Sequence, residues 1–286
     1  MLTRPGSIRF WLVFFFACGT PAPVAEMSPQ NAEPAAAAVV APSPAFIDVI
    51  TVDEPSHSLP EGAPAALARF PAAFERSEPY DLVVFLHGWS GCINVLMRDD
   101  EQACVEGDTV RQAWNLGETL GAPQRVLLMP QLAFQRRDGD AGLFEDPEYT
   151  RDWLAHVLVE LSLDAPRNTV LMPHSAGFET ALAWAQSGVP IDAIFLMDAL
   201  YAKAPDFFAW ASADEERVLV TFYTGGSTGR QSRRLARMAE REGVDSRVRR
   251  VHTRARHAEV PSAEGPGALR EFFENAHHGA RVDTGD

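Results

Sequence analysis

Ser175 stands where an apolar run, Val170-Leu171-Met172, stops at Pro173, and a helical pattern then opens through Phe178, Ala181, Leu182 and Trp184. A strand, a tight turn and a helix in that order lift a hydroxyl above the end of a sheet and set it at a helix N-terminus, which favours developing negative charge. A second apolar run, Ile194-Phe195-Leu196-Met197, ends at Asp198, and an acid at the end of a buried strand is costly unless it has a partner. Two histidines follow near the end of the chain, His252 and His257. An imidazole is the side chain best suited to take and return a proton near neutral pH. Upstream, Tyr80-Asp81-Leu82-Val83-Val84-Phe85-Leu86 closes on His87-Gly88-Trp89-Ser90-Gly91, where Gly88 and Gly91 let the backbone approach a substrate closely. A serine, an acid, a histidine and a glycine turn are the parts needed for nucleophilic acyl transfer.

These residues need a scaffold that gathers strand ends. The pattern predicts a strand over 46–52, a weak strand or turn over 67–74, the buried strand at 80–86 and a helix from Val110 to Leu120. Arg125 to Met129 reads as a strand, and Tyr149 to Leu161 as a helix with Trp153, Leu154, Val157, Leu158 and Leu161 on one face. After the serine turn the alternation continues, with strands at 193–197, 218–223 and 246–251 and helices at 205–210, 229–242 and 266–275. Repeated strand–helix units with continuous apolar strands predict a doubly wound, mostly parallel α/β sheet with helices on both faces. Functional groups in such sheets collect at the carboxyl ends of the strands.

With the Leu82-to-Gly91 strand and turn, the Pro173-to-Gly177 turn, and a later acid and histidine in the order Ser, Asp, His, residues 46–286 resemble an α/β-hydrolase. The resemblance departs from the usual G-x-S-x-G at one place, where Pro173 replaces the first glycine. It implies a serine hydrolase acting on carboxylic esters of small molecules or lipids through an acyl-enzyme on Ser175. His257, in the loop before the terminal helix, takes the position of the base. Asp198 takes that of the orienting acid, because Thr224-Gly225-Gly226-Ser227 after the next strand holds no carboxylate; Asp206 is a weaker competitor. The amides of Trp89 and Ala176 then form the oxyanion hole, with Ser90 as a lesser contributor. The alternative is a catalytically inert α/β-hydrolase-like lipoprotein that binds a ligand or an envelope partner, a reading that Pro173 keeps open because proline fixes φ and removes a donor.

The chain has 286 residues, 46% hydrophobic, with a formal net charge of −14, which argues against binding nucleic acid through its phosphates. Lys203 is the only lysine, so the basic residues are almost all arginine, which we read as compositional bias. Arg4 and Arg9 precede the apolar run Phe10 to Ala17, too short to span a bilayer but of signal-peptide length. Phe15-Phe16-Ala17-Cys18-Gly19 resembles a bacterial lipobox, so residues 1–18 are expected to be a lipoprotein signal with Cys18 as the lipidated residue; a plain secretory signal is the alternative. Residues 19–45, rich in Ala and Pro, are expected to form a disordered tether. The protein is thus expected in the bacterial cell envelope, anchored to a membrane and monomeric. In an oxidising compartment the even pair Cys92 and Cys104 is expected to form a disulfide. No metal or cofactor is expected. The Gln135-to-Asp140 run lacks the ligand spacing of a calcium loop, and Thr224 to Arg230 lacks the lysine of a phosphate loop.

Overall fold

The structure is a computed structural model that describes residues 45–52, 55–59, 64–89, 91–100, 103–104, 114–133 and 140–279. The expected leader at 1–18 with Cys18, nearly all of the 19–45 segment, and Ser90 lie outside these residues.

Eight strands form one sheet: β1 (Phe46–Ile50), β2 (Ala66–Phe70), β3 (Asp81–Leu86), β4 (Arg125–Pro130), β5 (Asn168–Pro173), β6 (Ala193–Met197), β7 (Val218–Tyr223) and β8 (Val248–His252). Their spatial order is β1-β2-β4-β3-β5-β6-β7-β8. The β1–β2 and β2–β4 pairs are antiparallel, and every later pair is parallel. Seven helices accompany the strands among the described residues: α1 (Ile93–Met97), α2 (Leu116–Thr119), α3 (Pro147–Glu160), α4 (Phe178–Gln186), α5 (Ala204–Ser212), α6 (Gly226–Glu242) and α7 (Val260–Gly279).

The continuous apolar runs have two faces to bury. Leu82, Val84 and Leu86 of β3 join Trp153, Leu182, Phe207 and Leu235 in one cluster, so α3, α4, α5 and α6 cover that face. Val83 and Phe85 join Ile93, Leu116, Leu269 and Phe273 in another, so α1, α2 and α7 cover the other. Both faces being dry explains why these strands read as unbroken hydrophobic runs.

Three local expectations are corrected. The helix expected from Val110 begins only at Leu116, because Asn115 is left-handed (φ 52°) and its side chain accepts from the Glu118 amide; residues 110–113 lie outside the described set. The terminal helix starts at Val260 and carries Pro266 inside it. Gly265 there approaches so closely that a Cβ would stand 2.7 Å from Leu120 and 2.9 Å from Met172, and this packing overrides the poor helix propensity of Gly265-Pro266-Gly267. Finally, no disulfide joins Cys92 to Cys104. Both side chains are buried in a small cluster with Val95, where a thiol is accommodated as a small apolar group and needs no covalent link.

Candidate active site

The strand β5 runs to its last residue, Pro173, in register with Leu86, and the ladder survives the missing donor because the next amide, of His174, donates to the Leu86 carbonyl at 2.9 Å. Ser175 then adopts φ 51°, a left-handed conformation that a non-glycine residue holds only when its surroundings impose it. A short 3-10 turn, Ser175–Gly177, passes directly into α4. Gly177 is required here: a Cβ on it would stand 2.2 Å from the Leu86 carbonyl oxygen. The proline therefore fits the end of the strand, and the strained turn sits at Ser175 itself.

Gly88 closes the other side of this turn. A Cβ there would lie 2.6 Å from Ser175 Cβ, 3.0 Å from the His174 oxygen and 3.2 Å from the Ala176 nitrogen. Gly91 meets His87 in the same way, at 2.1 Å from Nδ1. The Gly88 carbonyl accepts from His87 Nδ1 at 2.8 Å and from the Gly91 amide at 3.0 Å. A trans peptide then turns the Trp89 N–H away from that pair. Trp89 and Ala176 line a recess of about 10 Å³ with Gly88 and Thr180, and the buried Thr180 Oγ1 has no partner among the described residues. Gly88→Ala is expected to push the glycine turn off the serine turn and lower turnover by about 10²-fold or more while the fold persists. Steady-state kinetics beside a thermal melt measure both.

His257 opens a 3-10 turn between β8 and α7. Its Nδ1 lies 2.7 Å from Asp198 Oδ2. With that nitrogen donating to the carboxylate, Nε2 keeps its lone pair. Asp198, at φ 46°, is buried beyond the end of β6 and accepts three further hydrogen bonds: from the Thr224 amide at 3.0 Å, Thr224 Oγ1 at 2.7 Å and Thr228 Oγ1 at 2.6 Å. Burial alone would raise its pKa, but the bonds from His257, Thr228 and Thr224 outweigh it and hold the carboxyl well below the usual range. Asp206, the competitor, lies in the first turn of α5. His252 lies against Tyr223, with ring centroids 5.2 Å apart, on the exposed end of β8.

Ser175 and His257 line one cavity of about 280 Å³ with Cys92, Val95, Leu96, Trp114 and His174, so that most of its wall is apolar. The Tyr201 side chain stands beside that of Ser175, and among the described residues no hydrogen bond joins Ser175 to His257. His174 ties the serine turn to the histidine turn: its Nε2 donates to the His257 carbonyl at 3.0 Å, and its ring lies 4.6 Å from that of His257. Among the described residues no group of three or more His, Cys, Asp or Glu converges as a metal site.

Two buried histidines give the site an acid limit. His87 Nε2 accepts from the Leu132 amide, fixing its proton on Nδ1, and burial lowers its pKa from 6.5 to about 4. Burial, and then the neighbouring His257, lower that of His174 to about 4. An unfolded chain takes up protons near pH 6.5 that the folded one refuses until about pH 4, so both groups cost stability as pH falls through that window and none above it. Denaturant midpoints are expected to be flat above pH 7 and to fall from about pH 6.5 to 4, with a slope of up to roughly 1.4 kcal/mol per pH unit per histidine. His174→Gln should halve the slope.

The sheet order, the strained serine turn after β5 and the histidine turn after β8 make this an α/β-hydrolase fold. No protein-family model and no curated protein matches the sequence. Among solved structures the chain is similar to a methylesterase, at 11% identity and a TM-score of 0.45 over 74% of this chain and 51% of that one. It is also similar to a brefeldin A esterase described as a bacterial homologue of human hormone sensitive lipase, at 15% identity and 0.41 over 88% and 77%. A third is an acetyl xylan esterase from Paenibacillus sp. R4, at 14% and 0.41 over 82% and 89%. The chain thus spans about half the length of the methylesterase.

Proposed function

We propose that the protein is a serine esterase in which Ser175 is the nucleophile, His257 the general base and Asp198 the acid that orients it. One observation carries this reading: the Asp198–His257 hydrogen bond of 2.7 Å stands at the same cavity as a serine held at φ 51°. In the forward step Ser175 Oγ attacks the ester carbonyl carbon, its proton passes to His257 Nε2, and the carbonyl electrons move to oxygen. The amides of Trp89 and Ala176 receive that oxyanion in their shared recess. Collapse expels the alcohol, protonated by His257, and water repeats the sequence on the acyl-enzyme. A cavity of about 280 Å³ is below the roughly 300–1,000 Å³ that holds drug-sized ligands, and its apolar wall favours a short acyl group.

Labelling by a fluorophosphonate tests the nucleophile, with wild type expected to label and Ser175→Ala and His257→Ala not. The second reading, an inert binding fold, draws on there being no hydrogen bond between Ser175 and His257 among the described residues; it is favoured if wild type stays unlabelled at a concentration that labels a control esterase. Anchoring through Cys18, and so residence in the bacterial envelope, remains part of the same proposal and rests on the apolar run at 10–17 and the residues around Cys18.

A further inference from the structure

The outer face of α6 carries Arg230, Arg233, Arg234, Arg237 and Arg241, all exposed. At 3.6 residues per turn the five fall within about 100° of arc, a single stripe along the helix. Among the described residues none of the five makes an ion pair, and Glu240 at the margin of the stripe pairs with none of them. Arg250 extends the patch: it is exposed on β8, the edge strand, on the same side as Val248, which packs in the cluster of Leu235 and Ala239. Of the ten arginines in residues 226–256, Arg249 and Arg256 pair with Glu271 and Glu259 outside that stretch, so the basic face is the stripe with Arg250, whereas the whole chain is at −14. The negative total therefore hides a concentrated basic face.

That arrangement opposes the stability of the helix. Like charges at i,i+3 and i,i+4 repel, and here 230–233, 230–234, 233–237, 234–237 and 237–241 are all such pairs. The first turn of α6 contains no acid of its own, so nothing within the helix offsets the row of arginines. A solvated helix gains more by interleaving signs, so the face is built to meet negative charge.

We infer that the arginine face of α6 and β8 docks on an anionic lipid bilayer. A bilayer is favoured over other polyanions by the chain outside the described residues. The apolar run at 10–17 leads to Cys18, the residue expected to carry lipid, and the 27 residues from there to Ala45 reach at most about 90 Å, enough to lay any face of the domain on the membrane that holds Cys18. Docking also bears on the site, because the first turn of α6 holds Thr228, which bonds Asp198, and Arg230 follows two residues later.

The test uses the full chain and vesicles of phosphatidylcholine alone or with about 30 mol% phosphatidylglycerol, the first reading whatever the N-terminal run contributes. Each arginine close to an anionic surface is worth about fivefold in partitioning at low salt. Arg233→Gln/Arg234→Gln/Arg237→Gln is expected to lose about 10²-fold on the anionic vesicles and nothing on the neutral ones. The triple lysine variant keeps the charge and should bind as wild type does. Because the three side chains are exposed and touch none of the catalytic groups, ester turnover in solution stays unchanged and reports that the variant is folded. Equal partitioning of wild type on both vesicles overturns the proposal, as does retention on polygalacturonate without enrichment on anionic vesicles.

Discussion

Ser175→Ala is expected to lower the hydrolysis of p-nitrophenyl butyrate by about 10⁵–10⁶-fold, the scale seen when the bond-forming atom of a triad is removed. The loss is this large because no neighbour can take over the attack. Tyr201 is within hydrogen-bond reach of the Ser175 side chain, but its pKa is raised, first by burial and then by the Asp198 charge, which leaves it a poor nucleophile. The remaining activity would come from the Trp89 and Ala176 amides polarising the carbonyl for water. His257→Ala should fall by a similar factor, and the double variant hardly further, since the two act as one unit. Ester turnover that survives Ser175→Ala undiminished would move the chemistry elsewhere in the molecule. In the resting structure no hydrogen bond joins Ser175 to His257 among the described residues, so attack requires the hydroxyl to turn toward His257 Nε2. Apo sites commonly tighten in this way when substrate binds.

What the sequence discloses and what it withholds follow from how local each feature is. Pro173 to Gly177 and Asp198 are legible because each is punctuation at the end of an apolar run, and His257 because it stands in the loop before the terminal helix, while strand ends in a parallel sheet meet on one side. The two-faced burial of β3 and β5 is legible for the same reason. By contrast, α1 has only five residues, fewer than two turns, so no period can reveal it. The roles of His174, Thr224, Thr228 and Tyr201 depend on contacts between segments 26 to 83 residues apart, and no spacing carries that information. His174 is the instructive case. Its place beside the nucleophile was plain, but its bond to the His257 carbonyl exists only once β5 and the loop after β8 are brought together. The cysteine pair misled because the expectation came from compartment, whereas the packing of Cys92 with Val95 comes from local burial.

Asp198→Asn is expected to lower turnover by about 10⁴-fold with little change in fold, and the reason lies in the donors around it. The carboxylate accepts from the Thr224 amide, two threonine hydroxyls and His257 Nδ1, so an amide in its place turns an NH₂ group toward donors it cannot satisfy. The most natural relief is for that NH₂ to donate to His257 Nδ1, which shifts the imidazole proton to Nε2 and removes the lone pair that Ser175 needs. The usual place for the acid in this fold, after β7, is held here by Thr224, whose Oγ1 is already 2.7 Å from Asp198 Oδ2. A carboxylate introduced there starts close to the atom that His257 donates to. Asp198→Asn/Thr224→Asp is therefore expected to recover at least about tenfold of the lost turnover, since an anion again favours the Nδ1–H tautomer and stabilises the imidazolium. The sign of the acid limit distinguishes the two carboxylates. Asp198, held far below its ordinary pKa by four donors, should keep its charge throughout acid inactivation. The relocated acid has fewer donors and should lose turnover at a higher pH. A double variant no more active than Asp198→Asn, or a single variant retaining more than about a tenth of wild-type turnover, would remove Asp198 from the role of orienting His257.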